Sequence, residues 1–151
     1  MWVRQLESVP HGFRFVAYDQ RGFGNTELGS RPFKDHEDVI ALMDNLGIDR
    51  ATLVGCSMGA GIALDLAIAS PERVAGLVLV GAASPGFEPE EEFEPPQWPE
   101  AVAAFKAGDF ERVAQLDAEI WLFGQGRDEH RLDPELVELF LEMDLKALRQ
   151  E

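Results

Sequence analysis

The stretch that decides the fold is Ala51-Thr52-Leu53-Val54-Gly55-Cys56-Ser57-Met58-Gly59-Ala60-Gly61. A short β-rich apolar run ends in Gly-x-Ser-x-Gly, and a long apolar segment, Ala60 to Ala69, follows without a break. That order reads as strand, sharp turn, helix, with a serine at the apex. Glycines on either side let the backbone fold tightly enough to hold the serine in a strained conformation with its side chain exposed. The helix beginning there aims its unpaired N–H groups and positive dipole end at whatever sits beside the serine. A carbonyl attacked by Ser57 develops negative charge on its oxygen, and the Met58 N–H is positioned to receive it. Taken as a pentapeptide alone, the motif also fits a glycine-rich turn with an incidental serine. The strand before it and the helix after it favour the catalytic reading.

Outward from this turn the chain alternates. Val74-Ala75-Gly76-Leu77-Val78-Leu79-Val80-Gly81-Ala82-Ala83 is a further all-apolar strand, reached from the helix through Ser70-Pro71-Glu72-Arg73. Upstream, Phe13 to Asp19 is β-rich and apolar at nearly every position after Arg14, as in a strand covered on both faces. Between these, Asp35 is expected to cap a helix running to about Leu46, with Gly47 as its stop. Val39, Ile40, Leu42, Met43 and Leu46 would form its buried stripe. The β-α-β order predicts an α/β fold with a doubly wound, mostly parallel sheet. Ligands of such sheets bind beyond the carboxyl ends of the strands, where Ser57 would lie.

At Ser84 the character changes. Phe87 to Glu100 carries six glutamates and four prolines and reads as an exposed connector. Residues 100–107, 109–123 and 134–149 then look helical, with Asp109 and Asp133-Pro134 as starts. The expected division is residues 1–86, a partial core holding the turn at Ser57, and residues 87–151, an acidic linker and helical region. Residues 2–9 suggest one further short helix, closed by Pro10 and Gly12.

Composition bounds the partners. Of the 151 residues, 46% are hydrophobic, enough for one domain with a core. The net charge is −15 and uneven: residues 1–84 carry 10 acids against 7 bases, residues 85–151 carry 18 against 6. Such a surface repels phosphate backbones and anionic membranes, so neither nucleic acid nor a membrane is expected as partner. No run of about 18 apolar residues is present. The N-terminus shows no signal-peptide pattern. The one cysteine, Cys56, rules out an internal disulfide, and the expected location is the cytoplasm.

Two motifs carry a resemblance. Gly55-Cys56-Ser57-Met58-Gly59 in its strand–turn–helix setting is similar to the nucleophile elbow of the α/β-hydrolase superfamily. Asp19-Gln20-Arg21-Gly22-Phe23-Gly24-Asn25-Thr26 resembles the loop after that family's fourth strand, with Thr26 where serine is commoner. The resemblance implies a serine hydrolase that cleaves an ester, lactone or similar acyl bond of a small molecule. Enol-lactonases, arylesterases and cofactor-free haloperoxidases are the most similar members. It implies Ser57 as nucleophile, Met58 as an oxyanion-hole N–H, and no cofactor or metal. The loop at Asp19 would be structural, and the helices after residue 87 would be a cap over the substrate.

The family's serine is activated by a histidine oriented by a carboxylate, in the order Ser, acid, His. After Ser57 the only histidine is His130, between helices rather than after a strand. His11-Gly12 matches the family's oxyanion loop in letters but precedes the wrong strand, and His36 reads as a surface residue. The triad acid and histidine are therefore not evident in this chain, which is expected to be a central fragment of a family domain. Without the family's third strand, the strand at 13–19 faces a gap of about 10 Å, two strand spacings. The strand at 74–83 would become an open edge, through which the chain could self-associate. The alternative to an enzyme is a non-catalytic remnant, or a binding or assembly module.

Overall fold

The computed structural model describes residues 1–82, 94–124 and 132–149. They form two compact units, one drawn from Ser30–Glu92 and the other from Met1–Gly29 with Phe93–Glu151.

The first unit is the β-α-β element built around Ser57. Helix α2 (Asp35–Asn45) precedes strand β1 (Ala51–Cys56), helix α3 (Met58–Ala69), a 3₁₀ turn (Pro71–Arg73) and strand β2 (Val74–Val80). The two strands pair in parallel, Thr52 opposite Gly76 through Cys56 opposite Val80, with an irregularity between Ala51 and Thr52. A parallel pair needs a crossover, and α3 supplies it. This helix is apolar almost all round, and Ala60, Ile62, Ala63 and Leu66 are buried. Small alanines on that face bring the helix backbone close to the sheet. Met43 of α2 completes the core.

Arg73 fastens the unit from one side. Its guanidinium donates to the backbone oxygens of Asp49 (2.8 Å) and Ile48 (3.0 Å) and to the Asp44 carboxylate (2.7 Å). It thereby ties the connection before β1 to the residue that leads into β2.

Several expectations are corrected here. Residues 13–19 form no strand; they belong to the other unit, where no strand among the described residues offers ladder partners. A strand needs a neighbour for its backbone groups, and apolar composition cannot substitute for one. Strand β2 stops at Val80 rather than residue 83. Asp35 is the first residue of α2 and not its cap; the cap position is Lys34, with no side-chain bond. Val54 of β1 and Val78 and Val80 of β2, on one face of the sheet, are 40%, 49% and 51% exposed. Leu53 and Gly55 point the other way, towards α3.

The second unit is helical. It contains α1 (Val3–Glu7), α4 (Trp98–Ala107), α5 (Phe110–Asp117), a π-helical turn (Ala118–Phe123) and α6 (Pro134–Arg149). Ala101, Val113, Ala114, Leu116, Ala118 and Ile120 form its core. The expected start at Asp109 is present: its carboxylate accepts the Arg112 N–H at 3.1 Å. Asp133 likewise accepts the Glu135 N–H at 3.1 Å before α6. The single helix expected over 109–123 instead widens at residue 118 into the π turn. That change of pitch leaves Trp121 61% exposed while Ala118 and Ile120 stay buried. No helix among the described residues is long and apolar enough to cross a membrane.

Candidate active site at the Ser57 elbow

Strand β1 ends at Cys56 and α3 begins at Met58, so Ser57 alone makes the turn between them. Its backbone sits at φ 51°, ψ −118°. Among the described residues it is the one non-glycine residue with positive φ. The value of ψ lies far outside even the small left-handed region open to L-residues, so the conformation is strained.

The strain is held by the groups on either side. The Ser57 N–H donates to Val80 O at 2.9 Å, which extends the β1–β2 pairing by one residue into the turn. The Ser57 carbonyl accepts from Ala60 N at 2.9 Å and Gly61 N at 3.2 Å, which starts the helix. Both backbone groups are thus committed, and the side chain is left exposed. Serine at a helix N-cap usually folds its oxygen back onto the helix N–H groups. Here it makes no such bond.

Gly55 shows how close the turn is. A Cβ at that position would lie 2.3 Å from Gly59 O, 2.5 Å from Gly59 C and 2.6 Å from Ala60 N. The strand end therefore runs directly against the helix start, and only glycine fits between them. The Met58 N–H is in the first turn of α3, where no carbonyl one turn earlier can take it, and its side chain is 52% exposed. Cys56 is a half-buried free thiol on the sheet face shared with Val80.

Ser57 and Met58, the two residues read from the sequence, are adjacent at this turn. No described histidine is bonded to the Ser57 side chain. His36 is half-buried in the first turn of α2, His11 is exposed in the helical unit, and His130 lies outside the described residues. Among the described residues no side-chain hydrogen bond reaches the Ser57 hydroxyl. The Asp19 loop is braced by its own residues: the Asp19 carboxylate accepts the Asn25 N–H at 3.1 Å. A Cβ on Gly24 would lie 2.2 Å from Asp19 Oδ2, so this glycine makes room for the brace.

One pair of groups went unread in the sequence. Asp117 at the end of α5 and Asp144 in α6 meet through their carboxyl groups. Each falls in register with apolar neighbours: Asp117 with the buried Val113 and Ile120, Asp144 with the half-buried Phe140 and Leu141. An acid in such a register was the available signal.

Comparison with known proteins fits this geometry. The family described as alpha/beta hydrolase fold matches residues 1–149. The AB hydrolase superfamily protein YisY of Bacillus subtilis is 30% identical over 97% of this chain and 56% of its own. The 2-hydroxymuconate semialdehyde hydrolase of Pseudomonas sp. (strain CF600) is 40% identical over 57% of this chain and 32% of its own. Among solved structures, a hydrolase from Pseudomonas aeruginosa PA01 superposes with a TM-score of 0.71 at 28% identity. The match covers 99% of this chain and 56% of that one. The enol-lactonase from Burkholderia xenovorans LB400 shares the fold at the same TM-score, 24% identity and the same coverage. The chain thus spans about half the length or less of these relatives. With its elbow intact and nearly its whole length matched, it belongs to the α/β-hydrolase fold family.

Proposed function

We propose that this chain carries the nucleophile of a serine hydrolase acting on an ester, lactone or similar acyl bond of a small molecule. The observation that carries the reading is the strained Ser57 backbone at a strand-to-helix turn, with both its backbone groups bonded and its side chain exposed. A residue held in so unfavourable a conformation at an exposed turn points to chemistry. The names of the relatives support hydrolysis as the reaction class; an enol-lactonase among the structural neighbours fits the acyl substrate.

In the proposed mechanism a histidine takes the proton from Ser57 Oγ as the oxygen attacks the carbonyl carbon. The carbonyl oxygen becomes an oxyanion, which the Met58 N–H and the positive end of α3 stabilise. The leaving group departs with a proton from the histidine, and water then hydrolyses the acyl-enzyme by the same steps. Neither His11 nor His36 is proposed as the base. The triad acid and histidine are proposed to come from outside this chain, which spans about half its relatives' length. The proposed setting is the cytoplasm, with a small molecule as partner and no cofactor.

A second reading has its own support. With no side chain bonded to the Ser57 hydroxyl among the described residues, the chain by itself would be a hydrolase-fold binding or assembly module. Its exposed valines at 54, 78 and 80 favour self-association. Labelling with a fluorophosphonate probe, read by intact mass, separates the two. One adduct, absent in Ser57→Ala, supports an activated serine; no adduct in folded protein supports the module.

A further inference from the structure

In the helical unit, α5 and α6 pack against one another, and the π turn after α5 packs against both. At this junction Asp144 Oδ2 is buried with no hydrogen-bond partner among the described residues. The group within hydrogen-bond reach of the Asp144 side chain is the carboxyl of Asp117. Two carboxylates offer only acceptors, so no hydrogen bond can form between them until one carries a proton. A buried acceptor left without a donor is destabilising, and so are two like charges at contact.

Among the described residues, the nearby cations of the packed elements are bonded elsewhere. Arg112 of α5 donates to Glu100 of α4 at 2.9 Å, Arg149 of α6 pairs with Glu111 of α5, and Lys146 of α6 donates to Asn25 at 2.7 Å. Lys106 sits in the last turn of α4, which packs on α5. The remaining titratable groups of the packed elements, Glu119 of the π turn and Glu135, Glu138 and Glu142 of α6, add negative charge only.

We propose that Asp117 and Asp144 share one proton and act as a pH-sensitive latch that holds α6 on α5 under mildly acidic conditions and loosens it towards neutral pH. The proton supplies the missing donor, so the buried oxygen and its neighbour become a hydrogen-bonded acid–carboxylate pair. Its loss leaves two charges at contact across the helix junction. Burial first, and then the Asp117 charge and hydrogen bond, push the Asp144 carboxyl up to about 6 from its ordinary 3.8. Burial also raises Asp117, against the hydrogen bond from Asp144, which lowers it. The folded-state value of Asp144 thus lies above the unfolded one. The added stability is complete below the unfolded value and is lost as pH rises through about 6.

The test uses the full chain in two measurements. In carbon-13 NMR of labelled aspartate side chains, assigned with Asp117→Asn and Asp144→Asn, the pair is expected to show one step near pH 6 that either substitution removes. Titration of both carboxyls in the ordinary range near 4 would overturn the latch. In thermal melts, Asp144→Asn supplies a permanent amide donor to Asp117. Between pH 5 and 7.5 the wild-type melting temperature is expected to fall by roughly 3 °C more than that of the variant. Parallel curves for the two proteins would overturn it equally. If the variant does not fold, the wild-type titration decides alone.

Discussion

Replacing Ser57 by glycine tests the strained elbow directly. At φ 51°, ψ −118° the serine backbone occupies a region that costs an L-residue about 1–3 kcal/mol. Glycine adopts it freely but gives up about 0.5–1 kcal/mol through the greater freedom of its unfolded chain. Little else changes. The bonds to Val80, Ala60 and Gly61 are made by the Ser57 backbone, which glycine keeps, and the hydroxyl caps nothing. The balance is a stabilisation of about 1 kcal/mol for Ser57→Gly, which corresponds to a rise of about 2–4 °C in melting temperature for a chain of this size. Ser57→Ala keeps its Cβ and therefore the strain, so its stability should stay within about 0.5 kcal/mol of wild type. Both variants would lose the proposed nucleophile. The assay is urea denaturation followed by circular dichroism, with thermal melts alongside. If Ser57→Gly proves no more stable than Ser57→Ala, the elbow stores no strain and its backbone does not point to catalysis.

Two further perturbations probe how the turn is built. Gly55→Ala places a methyl 2.3 Å from Gly59 O, a backbone atom that no rotamer change can move. A loss of about 3 kcal/mol or more is expected, at the upper end of overpacking, and a melting temperature within a degree of wild type would contradict it. Gly61→Ala, in the same helix with open space around its Cβ, should do the opposite and stabilise by about 0.8–1 kcal/mol through helix propensity. Removing the Arg73 guanidinium as Arg73→Ala should weaken the unit by about 1.5–3 kcal/mol, because charge-assisted bonds to Asp44, Ile48 and Asp49 go together. Arg73→Lys should recover less than half of that in denaturant titration, since one ammonium cannot reproduce the fork; full recovery would reduce Arg73 to a point charge.

What could be read from the sequence was local. Gly-x-Ser-x-Gly between an apolar run and an alanine-rich helix sufficed for the elbow, because glycine placement, strand length and helix start all act within a dozen residues. The helix starts at Asp109 and Asp133 were legible for the same reason: each acts on an N–H only two or three residues ahead. Helix α2 was placed to within a residue at its end, although its cap was assigned one position late.

Tertiary structure decided everything that required a neighbour from elsewhere in the chain. Residues 13–19 have the composition of a buried strand but form none, and a backbone ladder needs two partners. The sheet face at Val54, Val78 and Val80 is exposed, which no local pattern reveals. The meeting of Asp117 and Asp144 joins residues distant in the chain through the packing of α5 on α6. Each acid alone looks like an ordinary polar position; only their contact, with a buried oxygen and no donor, makes the pair matter. Sequence determined the turn at Ser57 because its physics is contained in neighbouring residues, whereas pairing, exposure and the meeting of distant side chains depend on which surfaces the fold brings together.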